Sequence, residues 1–444
     1  MSIRKSINNV DIITLDDDAT IHRNSKLIVE NGIIVQVGES SSDLKADEAV
    51  DGDGKVVMPG LVNAHCHSPM NMVRGWAEDL PFVDWLESIW VPESGLTPDD
   101  VYWGASLAAA EMIRSGTVAY NDKYFYMDRV ADVVQESGLN AALTWTVFGM
   151  GTDTEVGPGL DGTVRWMKEL DENSGSRIKT YIGPHSPYLC PDDFLRRIVE
   201  IAHDVGRGIH LHLAETQDQV DQSLARYKLR PVQHLDSLGV FDVPDVTIAA
   251  HSIHLDDKDI EILVDKQVIV PHCPITYMKL AMPFPSIKRC LDAGVQVCLG
   301  TDGPGSNGDM DMFATIRQTA LIHKYQTLDP EMISGDTALR MATQVGAKAV
   351  GLENNGVLRV GAPADLILIN LDAPHLRPVH NLVANIVHCA KGSDVCDVMV
   401  DGKWLMRNRE LLTLDEDRIL HEAEKRAHNM VDRGRRQLRK YDDG

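Results

Sequence analysis

His65 and His67 stand one residue apart in the run VVMPGLVNAHCH (56–67). Residues i and i+2 of a strand face the same way, so both imidazoles can close on one cation. Three more groups of the same chemistry each end a separate apolar run: His212 with Glu215 in GIHLHLAE (208–215), His251 in VTIAAHSIH (246–254) and Asp302 in QVCLGTDG (296–303). His212 is preferred to His210 as the third ligand because Glu215, three residues on, leaves the strand end where it can reach a bound water. His210 then lies one layer deeper, packed. Three imidazoles and a carboxylate around a divalent ion leave a position for water and lower its pKa to about 7. The resulting hydroxide can attack an electron-poor ring carbon, with Asp302 accepting the water's proton. Glu215 suits the donor that protonates the ring nitrogen and the leaving group. His251 can orient the hydroxide or ligate a second ion, and the first role is preferred because KTYIGPHS (179–186) carries no lysine at its end to bridge two ions. Cys66, between the two histidines, points to the opposite face and reads as a packed thiol.

Gathering four strand ends at one point needs a closed parallel sheet. Four further apolar runs complete a set of eight: GTVAYND (116–122), NAALTWTVF (140–148), KTYIGPHS (179–186) and QVIVPHCP (267–274). Helical periodicity lies between them at 100–115, 191–206, 257–266 and 335–352. Residues 1–58 instead alternate in short β-like bursts broken at Asn31-Gly32 and Asp51-Gly52, and a similar pattern returns at 361–372 and 397–410 with Asp401-Gly402. The expected fold is therefore α/β: a (β/α)8 TIM-like, metal-dependent barrel over 59–356, with a small β-sandwich domain built from both termini. That domain takes residues 1–58 and 357–444, the latter ending in a charged, solvated surface helix. The segment 68–97 is a long loop with three tryptophans, a candidate wall of the substrate pocket.

The 444-residue chain can bury a core of this size, and its net charge of −23 lacks the basic footprint that nucleic acid requires. No run approaches the ~18 apolar residues of a membrane span, and the N-terminal residues lack a signal-peptide core. Seven cysteines, without a C-x-x-C pair, read as reduced thiols of a cytoplasmic protein.

The segments PGLVNAHCHSPMNMVRGWAEDL, GPHSPYLC, HLHLAET, AAHSIHL, LGTDG and ADLILINLDAPHLRPVHN resemble the amidohydrolase superfamily and, within it, the 5-methylthioadenosine/S-adenosylhomocysteine deaminase branch with its chlorohydrolase and triazine-hydrolase relatives. The resemblance runs from the first β-segment nearly to the C-terminus. It implies that His65, His67, His212 and Asp302 bind one divalent ion, zinc, with iron or manganese as the other candidates. It also implies proton transfer by Glu215 and Asp302, substrate contact by His185 and ribose binding by Glu93. Trp145 stands where nucleoside deaminases of the family often carry an arginine, and Thr276 and Tyr277 stand at their usual Ser-Asn. Trp90 and Trp145 join the expected substrate contacts. Trp76 and Trp85 read as loop packing, His254 and His272 as supporting or core histidines, and Met310, Met312 and Phe313 as core.

The function expected is hydrolytic deamination of an adenosine-like substrate such as 5-methylthioadenosine, S-adenosylhomocysteine or adenosine, with release of ammonia. Two other readings are a deaminase or dechlorinase of another N-heterocycle (s-triazine, guanine, oxidised purine, a cytosine-like base) and a catalytically silent scaffold barrel. The resemblance implies a homo-oligomer, dimer or tetramer, whose partner is otherwise only the small-molecule substrate.

Overall fold

The computed structural model describes residues 3–39, 44–149, 159–173 and 177–442. Eight parallel strands pair in chain order: β1 (Leu61–Cys66), β2 (Thr117–Tyr124), β3 (Asn140–Val147), β4 (Ile178–Pro184), β5 (Ile209–Leu213), β6 (Thr247–His251), β7 (Ile269–His272) and β8 (Gln296–Leu299). Every residue of β1, β2 and β3 is buried, as expected where one face fills a barrel and the other is covered by helices. β8 returns to β1 through the Asp302 N–H, which donates to the His65 carbonyl at 2.9 Å. Gly300 permits this approach, since a Cβ there would lie 2.7 Å from that carbonyl oxygen. The closure thus sets Asp302 against the histidine pair by backbone geometry alone.

The helices start and stop where local chemistry allows. Pro98–Arg114 and Asp257–Asp265 each open on a capping box, Thr97 with Asp100 and Asp256 with Asp259. The single helix expected over 335–352 is two, Gly335–Met341 and Gln344–Ala349. The Ala342 carbonyl leaves the helical ladder to accept the Val62 N–H at 2.8 Å, tying the break to β1.

The segment expected to be a long loop contains a 3-10 turn, Ser68–Val73, and a helix, Phe82–Glu93. Phe82, Trp85, Leu86 and Ile89 recur at helical spacing and give that helix an apolar face. Trp85 Nε1 donates to the Gly305 carbonyl at 3.2 Å, pinning the helix above the end of β8. Its back is clamped by the terminal helix Glu416–Asp442, where Gly434 lets the two backbones touch and Arg433 Nε donates to the Gly95 carbonyl at 2.8 Å. The terminal helix is therefore a packing element and not only the solvated helix its charge suggested.

Both termini share a separate mixed sheet of nine strands. Lys55–Pro59 pairs antiparallel with Leu366–Asn370, joining the N-terminal and C-terminal contributions. Trp404 and Arg407 in one part of the sheet reach Glu48 in another, so the sheet curls around its own core of Ile7, Val10, Leu27, Ile34, Val57, Leu366 and Leu368. The sandwich expected of this region is one continuous sheet folded over. Its hairpins turn where expected, with Asn31-Gly32 and Asp401-Gly402 all at positive φ. All seven cysteines are free thiols.

Candidate active site

Strand periodicity brings the expected groups to one end of the barrel. His65 is the fifth residue of β1 and His67 follows the strand; His212 is the last but one of β5 and His251 closes β6; Asp302 follows β8. The donor atoms of His65, His212 and His251 lie within 4.8 Å of one another, and so do those of His65, His67 and Asp302, which makes His65 common to two overlapping groups. His67 Nε2 stands 3.2 Å and His65 Nε2 3.6 Å from Asp302 Oδ1. His251 and Asp302 both hold left-handed backbone conformations, at φ 72° and 63°. For residues other than glycine such strain costs roughly 1–3 kcal/mol and concentrates at functional sites.

The outer nitrogens of His65, His67 and His251 are occupied, which fixes where their inner ones point. His65 Nδ1 lies 2.9 Å from His210 Nε2, and His210 Nδ1 lies 3.3 Å from Thr144 Oγ1, so His210 is the deeper, packed member of its pair. His67 Nδ1 donates to the Lys123 carbonyl at 2.5 Å. Tyr277 OH sits 3.4 Å from His251 Nδ1, and Ser306 Oγ donates to Asp302 Oδ2 at 3.1 Å. His65 Nε2 is fully buried and has no hydrogen-bond partner. Burial holds His65 down to about 3, and keeps His212 well below the usual histidine range. These are neutral imidazoles with free lone pairs, and a buried lone pair without a donor fits a cation. Burial alone would raise the Asp302 carboxyl, but the pull of His65 and His67 outweighs it and holds it well below the carboxylate range, ionised. The donor chemistry therefore fits one divalent ion.

Glu215 lies just past β5, its N–H bonded to Gln219 Oε1 at 2.9 Å and its Oε1 3.6 Å from His251 Nε2. Burial raises its carboxyl, against the opposing charge of His251. Above this floor opens a cavity lined by Phe82, Leu86, Trp90, Phe148, Tyr188 and Leu189, with Glu93, Lys123 and His185 among its polar groups. The lining is mostly apolar and aromatic, and His185 stacks on Phe148 at 5.1 Å and 21°. Glu93, the last residue of the covering helix, accepts from Tyr124 OH, and burial pushes its carboxyl up to about 7. A flat ring between aromatic walls, reacting over a polar floor, fits this space.

Of the substrate contacts expected, Glu93, His185 and Trp90 line the cavity, with Trp90 53% exposed at its mouth. Trp145 does not. Its neighbours Thr144 and Thr146 face inward, so strand alternation turns the indole outward, where it is 5% exposed and meets Trp166 edge-on at 5.3 Å. Thr276 and Tyr277 are buried, and Tyr277 serves His251. His254 is partly buried, whereas His272 is fully buried and pairs with His323 at 3.0 Å. Met310, Met312 and Phe313 are core, and so is Cys66. Sequence reasoning missed Lys123. The second apolar run, 116–122, stops one residue short of it, but β2 continues to Tyr124 and carries the lysine into the cavity wall. Burial pushes its ammonium down to about 7.

Residues 56–405 match the model of the amidohydrolase family. A 5-methylthioadenosine/S-adenosylhomocysteine deaminase of Pelotomaculum thermopropionicum is 41% identical over 431 residues, 96% of this chain and 99% of that protein. A 5'-deoxyadenosine deaminase of Methanosarcina acetivorans is 41% identical over 428 residues, 96% of this chain and 98% of that protein. Among solved structures, a zinc-bound adenosine deaminase of Xanthomonas campestris superposes with a TM-score of 0.91 at 32% identity, covering 97% of this chain and 99% of the other. A zinc-complexed atrazine chlorohydrolase of Arthrobacter aurescens shares the fold at a TM-score of 0.87 and 23% identity, over 96% and 100% of the two chains. With a family match over most of its length and full-length relatives above 40% identity, this chain belongs to the amidohydrolase family.

Proposed function

We propose that the protein is a hydrolytic deaminase of an adenosine-like nucleoside. The observation that carries this reading is a buried, raised carboxyl, Glu215, beside His251 and a ring of imidazole donors at the floor of an aromatic cavity. His65, His67, His212 and Asp302 would hold one divalent ion, zinc in the first instance. When bound, the ion supplies Lewis acidity that makes a water acidic enough to lose its proton near neutral pH. Asp302, kept ionised, accepts that proton. Glu215, whose carboxyl burial raises, donates to the ring nitrogen, takes up the proton of the added hydroxyl as the carbonyl forms and passes it to the departing amine, so that ammonia leaves; the proton held by Asp302 then restores Glu215. His251, 3.6 Å from Glu215 and held by Tyr277, orients the attacking oxygen. His185 contacts the ring edge, and Glu93, steadied by Tyr124, takes ribose hydroxyls. Phe148 and Trp90 supply the walls.

The names of the full-length relatives support nucleosides bearing a modified 5' position. The test is ammonia release from adenosine, 5'-deoxyadenosine, methylthioadenosine, S-adenosylhomocysteine, guanine, an oxidised purine, cytosine and an s-triazine. Turnover of a nucleoside at least 10²-fold above the others supports the reading, and turnover of the triazine alone overturns it. An intact donor set with Glu215 in place speaks against a silent scaffold.

The antiparallel seam of Lys55–Pro59 with Leu366–Asn370 supports dividing the chain into 1–58, 59–356 and 357–444, with the outer parts forming one domain. The seven free thiols support a cytoplasmic location, and no helix among the described residues is long and apolar enough to cross a membrane. Leu321 and Tyr325, one turn apart on the helix Met312–Thr327, and Leu328 just past its end are exposed by 46, 77 and 87%, apolar surface that supports a homo-oligomer. Light scattering of Tyr325→Glu, expected to give a smaller particle than the wild type, tests the last point.

A further inference from the structure

The mechanism above leaves the lysine of the cavity without a task. Lys123, on β2, is only 1% exposed, yet it lines the cavity beside His67, His185 and His212. Among the described residues its ammonium has a single hydrogen-bond partner, Thr146 Oγ1, at 3.3 Å. Lysine has three N–H donors, so two remain without a protein acceptor. Among the described residues no carboxylate lies within 4.0 Å of it. The nearby carboxylates are engaged elsewhere: Asp122 accepts from Ser68 Oγ and the Ser68 N–H, and Glu93 accepts from Tyr124. The other polar groups around it are imidazoles, and its positive charge disfavours protonation of His185 and His212. A lysine buried among imidazoles, with no counter-charge among the described residues, is costly to hold as a cation, which is why burial lowers its pKa. Such a group is made whole by a ligand that brings an anionic or strongly accepting oxygen.

We infer that Lys123 is a specificity-determining residue that binds an oxyanion carried by the substrate. This rests on the reading of the site as a deaminase but goes beyond it, because an adenosine ring with a plain ribose offers no such group. The oxygen can come from either of two places, a carboxylate on the 5' substituent or an enolisable oxo group on the ring. Both are recognised by the same chemistry, a charge-assisted N–H···O bond in a site from which water is excluded. A substrate lacking the oxygen leaves the ammonium unpaired, and sites of this kind reject such analogues strongly.

The test uses two matched pairs on the metal-loaded enzyme: S-adenosylhomocysteine with methylthioadenosine, and 8-oxoadenosine with adenosine. Steady-state kinetics and calorimetric Kd values are measured for the wild type, Lys123→Met and Lys123→Gln. In at least one pair the wild type is expected to prefer the oxygen-bearing member. Lys123→Met should collapse that preference by on the order of 10²-fold, mainly in KM and Kd, and Lys123→Gln should restore part of it. The pair that responds identifies the source of the oxygen. Removing an unpaired buried charge should also leave Lys123→Met melting no lower than the wild type, which excludes misfolding as the cause. Equal losses on both members of each pair would mark a merely structural lysine and overturn the inference. An unchanged ratio, or a wild type that binds neither oxygen-bearing compound more tightly than its partner, would overturn it as well. If none of the four compounds is deaminated, the proposed function falls, and the Kd ratios still decide the role of Lys123.

Discussion

Asp302 and Asp365 are both buried carboxylates, but they lie at opposite ends of the barrel and answer to opposite demands. Asp302 follows β8 and faces two imidazoles. Asp365 lies beside the starts of β1 and β3, where it accepts from Asn140 Nδ2 at 3.1 Å, from Asn355 Nδ2 and from the Asp401 N–H at 2.6 Å, while its own carbonyl accepts the Gly60 N–H. Burial and the nearby Asp401 charge push the Asp365 carboxyl up to about 7, whereas His65 and His67 hold Asp302 low. The Asp365 cluster is closed, because its oxygens are taken by amide donors that tie the small sheet to the barrel. The Asp302 cluster is open, since His65 Nε2 has no partner and faces the donor ring. Polar burial of the closed kind supports stability, and burial of the open kind keeps reactive atoms in reserve.

The contrast can be broken most sharply at His65. His65→Ala is expected to abolish turnover and lower metal stoichiometry, and chelator should then no longer shift the melting temperature as it does in the wild type. Full metal occupancy in that variant, measured by atomic emission, would contradict the donor assignment. Next in size, Glu215→Gln should lose on the order of 10²-fold or more in kcat while keeping its metal and its melting temperature. Wild-type turnover would remove Glu215 from the proton path.

Asp365→Ala should do the reverse. Leaving three donors unsatisfied costs about 3 kcal/mol of stability, with kcat unchanged at temperatures well below melting. Its pH dependence has a definite sign. The folded carboxyl titrates near 7 and the unfolded one near 3.8, so its contribution is fully present below the lower value and is lost as pH rises through the higher one. Denaturant titrations should therefore find the gap between wild type and Asp365→Ala larger at acid pH than at alkaline pH, and a gap that widens with pH would refute the closed-cluster account. The smallest effect is expected at Glu93. Glu93→Ala should raise KM for nucleosides about 10-fold, with a lesser effect on free bases, as loss of one polar contact predicts. Equal effects on both would take ribose away from Glu93.

Much of this was legible before any coordinates. Eight apolar runs became eight strands, and His65, His67, His212, His251, Glu215 and Asp302 met at one end because they lie at or just past the ends of four of them, β1, β5, β6 and β8. Trp145 was legible too, had its flanking threonines been read by the same alternation that paired His65 with His67. Lys123 was obscured by ending β2 at the polar residues Asn121 and Asp122, which are buried in the strand.

Local periodicity thus determined which residues reach the rim of the barrel, because strand alternation and strand ends are properties of a few consecutive residues. Tertiary structure alone decided what those residues meet. That the Ala342 carbonyl would break a helix to bond β1, that the terminal helix would press Phe82–Glu93 over the cavity, and that Lys123 would be left with one hydroxyl for company all depend on contacts between segments distant along the chain. Such contacts are set by packing and hydrogen-bond satisfaction across the whole core, and no window of consecutive residues contains them.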